Sequence, residues 1–130
     1  MIDEFIFVRK FFNMFEKIGM GIDIVDVNRF KKIPYKTRPE FYKKIFLPSE
    51  IDYCIKFKNS YEHFAGKFAV KEAVKKSIPT KLSFLNIETY HSNSRPKVRI
   101  KGKNKNDYVF LTSLSHEKNL AIAVVISQKV

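Results

Sequence analysis

The alternation of apolar and polar positions divides the chain into one strand, a run of helices and two later pairs of strands. Residues 18–27 are apolar on both faces apart from Asp23 and Asp26, which predicts a strand covered on both sides. Two β-hairpins are predicted from pairs of apolar runs, at residues 84–90 with 97–101 and at residues 109–115 with 120–126. This order predicts an α+β fold, with a mainly antiparallel sheet packed against a long helix.

Helices are predicted between the first strand and the hairpins, where apolar residues recur at helical spacing. The predicted segments are a short helix or turn at residues 28–33, short helices at 39–44 and 47–58, and a long helix at 60–77. Ser49 with Asp52 has the spacing of a capping box, and Ser60 is a suitable cap for the long helix.

The first 17 residues differ from the rest of the chain. An apolar helical stripe there, interrupted by charged residues, consists of Phe5, Val8, Phe12 and Phe15. The segment lacks the apolar centre and small-residue cleavage site of a secretory signal. It is interpreted as an amphipathic helix, or as translation begun upstream of a true start at Met14 or Met20, with a targeting peptide or a membrane-surface helix as the less favoured alternatives. We expect residues 1–17 to be an extension and residues 18–130 to form the domain.

Length, composition and charge indicate a single globular domain with an acidic partner. The chain has 130 residues, of which 45% are hydrophobic, enough for one domain with its own core. A net charge of +12 indicates an acidic partner such as a nucleic acid, a phosphate-bearing cofactor or an acidic protein. No apolar run reaches the roughly 18 residues of a membrane span. The single cysteine, Cys54, allows no intrachain disulfide, fits a reducing cytoplasm and is expected to be a small core residue.

Two carboxylates are the main candidates for chemistry. Asp23 lies in the predicted strand on the face of Gly19 and Gly21, whose missing side chains leave room for a ligand or another backbone. Glu72 lies on the small-residue side of the long helix. Because a lone charge in such a place is costly, a hard cation beside a phosphate ligand would account for both. Alternatively, Asp23 caps a neighbouring helix or pairs with a buried lysine, and Glu72 forms an ion pair with Lys76 one turn along the helix.

Basic residues are the next candidates. Lys67, Lys71 and Lys75 follow one another along a second stripe of the long helix, either as ammonium groups for phosphate or as a solvated face. Arg29 either pairs with Asp23 or grips a phosphate with its planar guanidinium.

Of the three histidines, His116 is the candidate for chemistry. It is expected at the corner of the last hairpin, either as a turn residue bonded to the backbone or as a general acid–base or phosphate donor. His63 and His91 are expected to be surface residues.

Four segments together resemble the holo-[acyl-carrier-protein] synthases, the small class of 4′-phosphopantetheinyl transferases. They follow the family's order between about Ile18 and Ile126, and they are Gly19-Met20-Gly21-Ile22-Asp23-Ile24-Val25 with Arg29-Phe30, Phe64-Ala65-Gly66-Lys67-Phe68-Ala69-Val70-Lys71-Glu72-Ala73, Arg95-Pro96, and Ser113-Leu114-Ser115-His116. The chain departs from the family at Lys67, where Arg is usual, and in residues 77–83, which contain no glycine.

The resemblance implies transfer of the 4′-phosphopantetheine arm of coenzyme A to a serine of an acidic apo acyl carrier protein, releasing adenosine 3′,5′-bisphosphate, in support of fatty acid biosynthesis. By motif match, Asp23 and Glu72 would hold Mg²⁺, with Mn²⁺ as the alternative ion. Glu72, directly or through a metal-bound water, would be the base for the serine. The implied coenzyme A contacts are Lys67, Lys71, Lys76 and His116. Arg29 would lie at the carrier-protein interface of a cytoplasmic homotrimer with sites between subunits.

Two other functions stay open. One is a homologue that binds coenzyme A or carrier protein without transferring anything. The other is a basic domain that binds nucleic acid, which gives no reason for Asp23 and Glu72. We therefore expect an enzyme without a nucleic-acid partner.

Overall fold

The structure of the chain is a computed structural model, which describes residues 2–130 apart from the side chains of residues 2 and 11–14. Helices lie on one side of a small antiparallel sheet. In chain order the elements are α1 (Ile2–Glu16), β1 (Ile18–Asp26), α2 (Asn28–Lys31), α3 (Pro39–Lys43), α4 (Pro48–Ile55), α5 (Ser60–Ser77), a 3₁₀ turn (Phe84–Asn86), β2 (Ile87–Ser92), β3 (Arg95–Ile100), β4 (Tyr108–Glu117) and β5 (Leu120–Lys129). The predicted α+β class is confirmed.

All strand pairing in the described chain is antiparallel. One sheet has the order β1-β5-β4, and β2 and β3 form a separate hairpin. In the first sheet, Gly21 lies opposite Val125 and Asp23 lies opposite Ala123. The strand that carries Asp23 is therefore an edge strand whose neighbour, β5, contributes small and β-branched residues.

The core lies between this sheet and α5, and it continues under the short helices. The α5 side chains Phe64, Ala65, Ala69 and Ala73 are buried there. An aromatic cluster fills the end near α2 and α3, where the ring centroids of Tyr42 and Phe64 are 4.7 Å apart. Burial raises the pKa of Tyr42, whose hydroxyl donates to the carbonyl of Ile33 at 2.6 Å. The cluster fixes where α5 begins.

The predicted strand at residues 18–27 is covered on one side only. Its inner residues face α5, whereas Met20, Ile22 and Ile24 are 68%, 62% and 58% exposed on the outer face. The apolar pattern thus predicts the strand, but the expected cover on its second face is not provided by the described residues of this chain.

Local details differ from the sequence-based expectations at helix starts and turns. The capping group of α4 is Glu50, which accepts the backbone N–H of Leu47 at 2.8 Å, and not the Ser49–Asp52 pair. Helix α5 has Asn59 at its N-cap, so Ser60 is its first residue and not its cap. The β2–β3 turn is only two residues long, because Asn93 and Ser94 adopt φ values of 52° and 63°.

Helix α1 stands at the edge of the fold. Phe5 and Val8 are 71% and 48% exposed, whereas the side chains of Phe12 and Met14 lie outside those described. No helix within residues 2–130 is both long and apolar enough to cross a bilayer.

Candidate active site

Two glycines let α5 lie directly against β1. A Cβ atom at Gly21 would overlap the carbonyl oxygen of Ala73, and one at Gly19 would overlap that of Ser77. The room left by these glycines is therefore filled by another backbone, one of the two outcomes expected from the sequence. Ser77 is also bound from the other side, since Ser127 Oγ donates to its carbonyl at 2.8 Å.

The same contacts set the level of the two candidate carboxylates. Strand β1 and helix α5 run in opposite directions along their line of contact, which we call the seam. Gly19 lies beside Ser77 and Gly21 beside Ala73, so two residues of the strand and four of the helix each cover about 6 Å. Extending this match by two more strand residues places Asp23 beside Ala69, and Glu72 then lies along the seam between the positions of Gly21 and Asp23.

Asp23 is held by a lysine from α5. Lys76 Nζ donates to Asp23 Oδ1 at 3.0 Å and to the carbonyl of Ile22 at 3.0 Å. The Asp23 side chain is 16% exposed and that of Lys76 is 52% exposed. Lys76 thus forms its ion pair with Asp23 across the seam. The alternative expectation, an ion pair between Glu72 and Lys76 along the helix, is not met.

Glu72 is half-buried one helical turn before Lys76. Among the side chains that the structure describes, none donates a hydrogen bond to its carboxylate, and none forms an ion pair with it. A partly buried carboxylate without such a donor, next to an Asp already paired with a cation, favours an additional positive group at this place.

Lys71 does not belong to a solvated row, which corrects that expectation. It is fully buried and donates to Glu50 Oε1 at 2.6 Å, to the carbonyl of Ile45 at 2.8 Å and to that of Phe84 at 3.1 Å. Burial lowers the pKa of Lys71, and the Glu50 carboxylate opposes that effect. All three donors are used inside the fold.

Sequence reasoning missed Glu50, which is also fully buried. Its second oxygen, Oε2, accepts the backbone N–H of Thr89 at 2.9 Å and the Thr89 hydroxyl at 2.5 Å. Its position in the first turn of α4 suggested only a helix-start residue. The available signal was Ile51 beside it and Leu47 three residues before it, an apolar setting for a charge.

Lys67 is buried but lines a cavity. Its Nζ donates to Thr89 Oγ1 at 3.0 Å and lies 4.7 Å from the centre of the Tyr53 ring. The cavity has a volume of about 400 Å³, and its wall also includes His91 and Arg99. Burial lowers the pKa of Lys67. The wall also includes Glu88, which pairs with Arg99, so Lys67 is its unpaired cation among aromatic rings in the described chain.

His116 lies inside β4, one residue before its end, and not in the turn as expected. Its Nε2 donates to the carbonyl of Glu62 in the first turn of α5, at 3.2 Å, and a carbonyl can only accept. His63 was expected at the surface but is half-buried, stacked on Phe57 with centroids 3.9 Å apart. His91 is exposed, as expected.

Arg29 lies on α2 and does not form the ion pair with Asp23 that was one of its expected contacts. Its guanidinium is exposed and lies 5.3 Å from the centre of the Phe68 ring. No ion pair joins it to Asp23 in the described chain, where Lys76 takes that place.

Comparison with known proteins places this site in a family. A sequence profile of the 4′-phosphopantetheinyl transferase superfamily matches residues 19–125. The holo-[acyl-carrier-protein] synthase of Thermodesulfovibrio yellowstonii is 43% identical over 111 residues, which cover 83% of this chain and 96% of the relative. That of Halothermothrix orenii is 39% identical over 122 residues, covering 85% and 97%.

Solved structures agree. The holo-(acyl-carrier-protein) synthase from Bacillus anthracis in complex with CoA (3′,5′-ADP) superposes with a TM-score of 0.73 at 29% identity, covering 86% of this chain and 96% of that one. The Helicobacter pylori synthase in complex with coenzyme A gives a TM-score of 0.71 at 36% identity, covering 84% and 99%. The chain therefore belongs to the 4′-phosphopantetheinyl transferase superfamily, among its holo-[acyl-carrier-protein] synthases.

Proposed function

We propose that this chain transfers the 4′-phosphopantetheine arm of coenzyme A to a serine of apo acyl carrier protein and releases adenosine 3′,5′-bisphosphate. The observation that carries the proposal is the Asp23–Lys76 ion pair between β1 and α5, with the half-buried Glu72 one helical turn before Lys76. Both carboxylates lie inside the segment that matches the family.

The reaction sets what the site must do. The serine oxygen bonds to the phosphorus next to the pantetheine arm, the bond from that phosphorus to the oxygen of the nucleotide 5′-phosphate breaks, and the serine proton leaves. The attacking oxygen comes from the partner, so the chain has to supply a base and cationic groups for the pyrophosphate. Glu72 is the candidate base, because no described side chain donates to its carboxylate.

The donor set fits a hard divalent cation. Asp23 and Glu72 offer carboxylate oxygens, the ligands that Mg²⁺ prefers, and Mn²⁺ shares that preference. Two protein ligands would leave positions around the ion for substrate phosphate. When bound, the ion would neutralise charge on the pyrophosphate.

Three basic residues are proposed for the coenzyme A phosphates: Lys76, Lys67 and His116. Lys76 is half-exposed where α5 meets β1, and Lys67 lines the cavity walled by Tyr53, Glu88 and Arg99. Lys71 is left out, because its ammonium is buried and saturated by acceptors within the fold. The Bacillus anthracis and Helicobacter pylori synthases are both described as complexes with coenzyme A.

The proposed partner is an acidic carrier protein, in fatty acid biosynthesis and in the cytoplasm. The net charge of +12 would speed its approach, and exposed Arg29 is the proposed contact. A homotrimer with sites between subunits is proposed because the outer face of β1 and β4 exposes Met20, Ile22 and Leu111, the last by 70%. Residues 18–130 would form this repeating unit.

The test is intact-mass analysis of an apo acyl carrier protein after incubation with this protein, coenzyme A and Mg²⁺. We expect a gain of one phosphopantetheine arm per carrier protein, and no gain in the presence of EDTA. The absence of any gain with several carrier proteins would reject transfer and leave a homologue that only binds.

A further inference from the structure

The segment of the chain without a family counterpart is α1. The superfamily profile begins at residue 19, and the relatives from Thermodesulfovibrio yellowstonii and Halothermothrix orenii are 96% and 97% covered by only 83% and 85% of this chain. The 15-residue helix Ile2–Glu16 therefore precedes the part of the chain that matches the family. A helix of this length is marginal in water on its own. Packing against another surface would stabilise it.

The apolar stripe of α1 has the spacing of a coiled coil. Phe5, Val8, Phe12 and Phe15 are separated by three, four and three residues, which is the a–d–a–d order of two heptads. Projected on a helix, Glu4 lies next to the stripe on one side and Arg9 on the other, and Phe11 shares the side of Glu4. The heptad spacing of the stripe fits a second helix as its partner.

The charges support copies of the same helix as partners. With Phe5 at position a, Glu4 takes position g and Arg9 takes position e of the same register. In a parallel coiled coil, g of one helix faces e of the following heptad on its neighbour, so Glu4 meets Arg9 of another copy. The charged residues of helix α1 are three acidic and two basic ones: Asp3, Glu4, Glu16, Arg9 and Lys10. This balance does not favour binding to anionic lipid.

The attachment of α1 points to the same partner. Only Lys17 separates α1 from β1, whose outer face is the proposed subunit interface. The C-terminal ends of three α1 helices would therefore be fixed near one another and in parallel. Tethering raises the effective concentration of the helices to about the millimolar range, which offsets their short length. In the described part of one chain, Phe5 remains 71% exposed.

We propose that the α1 helices of three copies form a short parallel coiled coil, with Phe5, Val8, Phe12 and Phe15 in its seam. The proposal rests on the homotrimer proposed above. It adds an interaction surface that the family profile does not contain.

The test uses two matched cysteine variants of the full chain, Val8→Cys and Ile6→Cys. The two residues are both aliphatic, are 48% and 47% exposed, and differ in that Val8 lies in the seam and Ile6 does not. A short bis-maleimide should join two of every three Val8→Cys chains, because a pairwise linker leaves one thiol unpaired around a three-fold axis. Ile6→Cys should stay unlinked. The unmodified protein is the negative control, because its only cysteine, Cys54, is buried and should not react with the linker.

Light scattering of the same samples separates the possible failures. If the mass corresponds to three chains but the two variants are cross-linked equally or not at all, the proposed coiled coil is overturned. The proposed trimer and the proposed transferase activity are then unaffected. A mass of one chain would reject the trimer and the coiled coil together. Binding of the protein to phosphatidylglycerol vesicles, lost in Val8→Ser but kept in Ile6→Ser, would overturn the coiled coil in favour of a membrane surface.

Discussion

Lys76 of α5 pairs with Asp23 of β1 across the seam between helix and strand, with Nζ 3.0 Å from Oδ1. Asp23 is one of the two proposed ligands of the divalent cation. A protein cation and the metal ion would therefore draw on the same carboxylate, and Lys76 would be released toward phosphate when the metal takes its place.

Lys76→Met should raise the KM for coenzyme A about 10-fold, because a charge-assisted contact to phosphate is lost. The same variant should reach half-maximal activity at a lower Mg²⁺ concentration, because Asp23 loses its competing cation. Lys75→Met is the matched control, since Lys75 lies over the Phe84 ring at 3.5 Å on another side of the helix. An unchanged KM would remove Lys76 from the phosphate contacts, and a higher Mg²⁺ requirement would contradict the competition.

Asp23→Asn and Glu72→Gln should each lower turnover at least about 100-fold, because each removes a charged ligand and Glu72 is also the candidate base. The melting temperature should change little, since both substitutions keep the side-chain shape. Asp26→Asn is the control on the same strand, because Asp26 is exposed and accepts only the nearby N–H of Asn28 at 2.9 Å. Turnover near normal in either site variant, with Mg²⁺ present, would reject the site.

Lys71→Met should destabilise the fold by about 3–5 kcal/mol, because it leaves the buried Glu50 carboxylate without its cation. Urea unfolding followed by circular dichroism measures this loss. Lys43→Met breaks the exposed Lys43–Glu40 pair and should cost less than about 1 kcal/mol. Equal losses in the two variants would contradict a structural role for Lys71.

Gly21→Ala should destabilise the fold by about 3 kcal/mol or prevent folding, because the added methyl overlaps the Ala73 carbonyl. Gly66→Ala is the comparison, since the nearest atoms to its new methyl would belong to the side chains of Leu114 and His116, at 3.1 Å and 3.2 Å, and not to a backbone. Replacing a helical glycine with alanine gains about 1 kcal/mol, which should offset that crowding. If thermal unfolding shows Gly21→Ala to be as stable as Gly66→Ala, α5 does not lie against β1 as described.

Burial raises the pKa of the Cys54 thiol to about 12. Because the folded state holds this proton more tightly than the unfolded state, the stabilisation is complete below the unfolded pKa of about 9 and is lost as pH rises toward 12. Between pH 9 and pH 10 the unmodified protein should therefore lose up to about 1 kcal/mol more than Cys54→Ala. Denaturant unfolding of both proteins at the two pH values measures the difference, and parallel losses would refute it.

The order of elements was predictable because strand and helix periods are local properties of the sequence. The bounds of α5 were predicted at residues 60–77 and observed at Ser60–Ser77. The burial of Lys71 was not predictable, because its acceptors Ile45 and Glu50 are 26 and 21 residues away in sequence. A helical stripe of lysines is usually solvated, and only tertiary packing reverses that expectation.

The candidate site was predictable in part for the same reason. Asp23 and Glu72 were singled out because a charge in an apolar strand or helix face is visible in one sequence. The link between Asp23 and Lys76 spans 53 residues and depends on how α5 crosses β1. The exposed outer face of β1 also escaped prediction, since an apolar pattern does not tell whether the covering surface is the chain's own.

The glycine contacts between β1 and α5 bear on how this site could persist while the rest of the sequence changes. At Gly19 and Gly21 no side chain separates the strand from the helix, so main-chain atoms set their distance. Substitutions among the surrounding aromatic and aliphatic residues can alter core volume without altering that distance. The position of α5 along β1, and with it the relative level of Asp23 and Glu72, therefore depends on the two glycines more directly than on the side chains of the surrounding core.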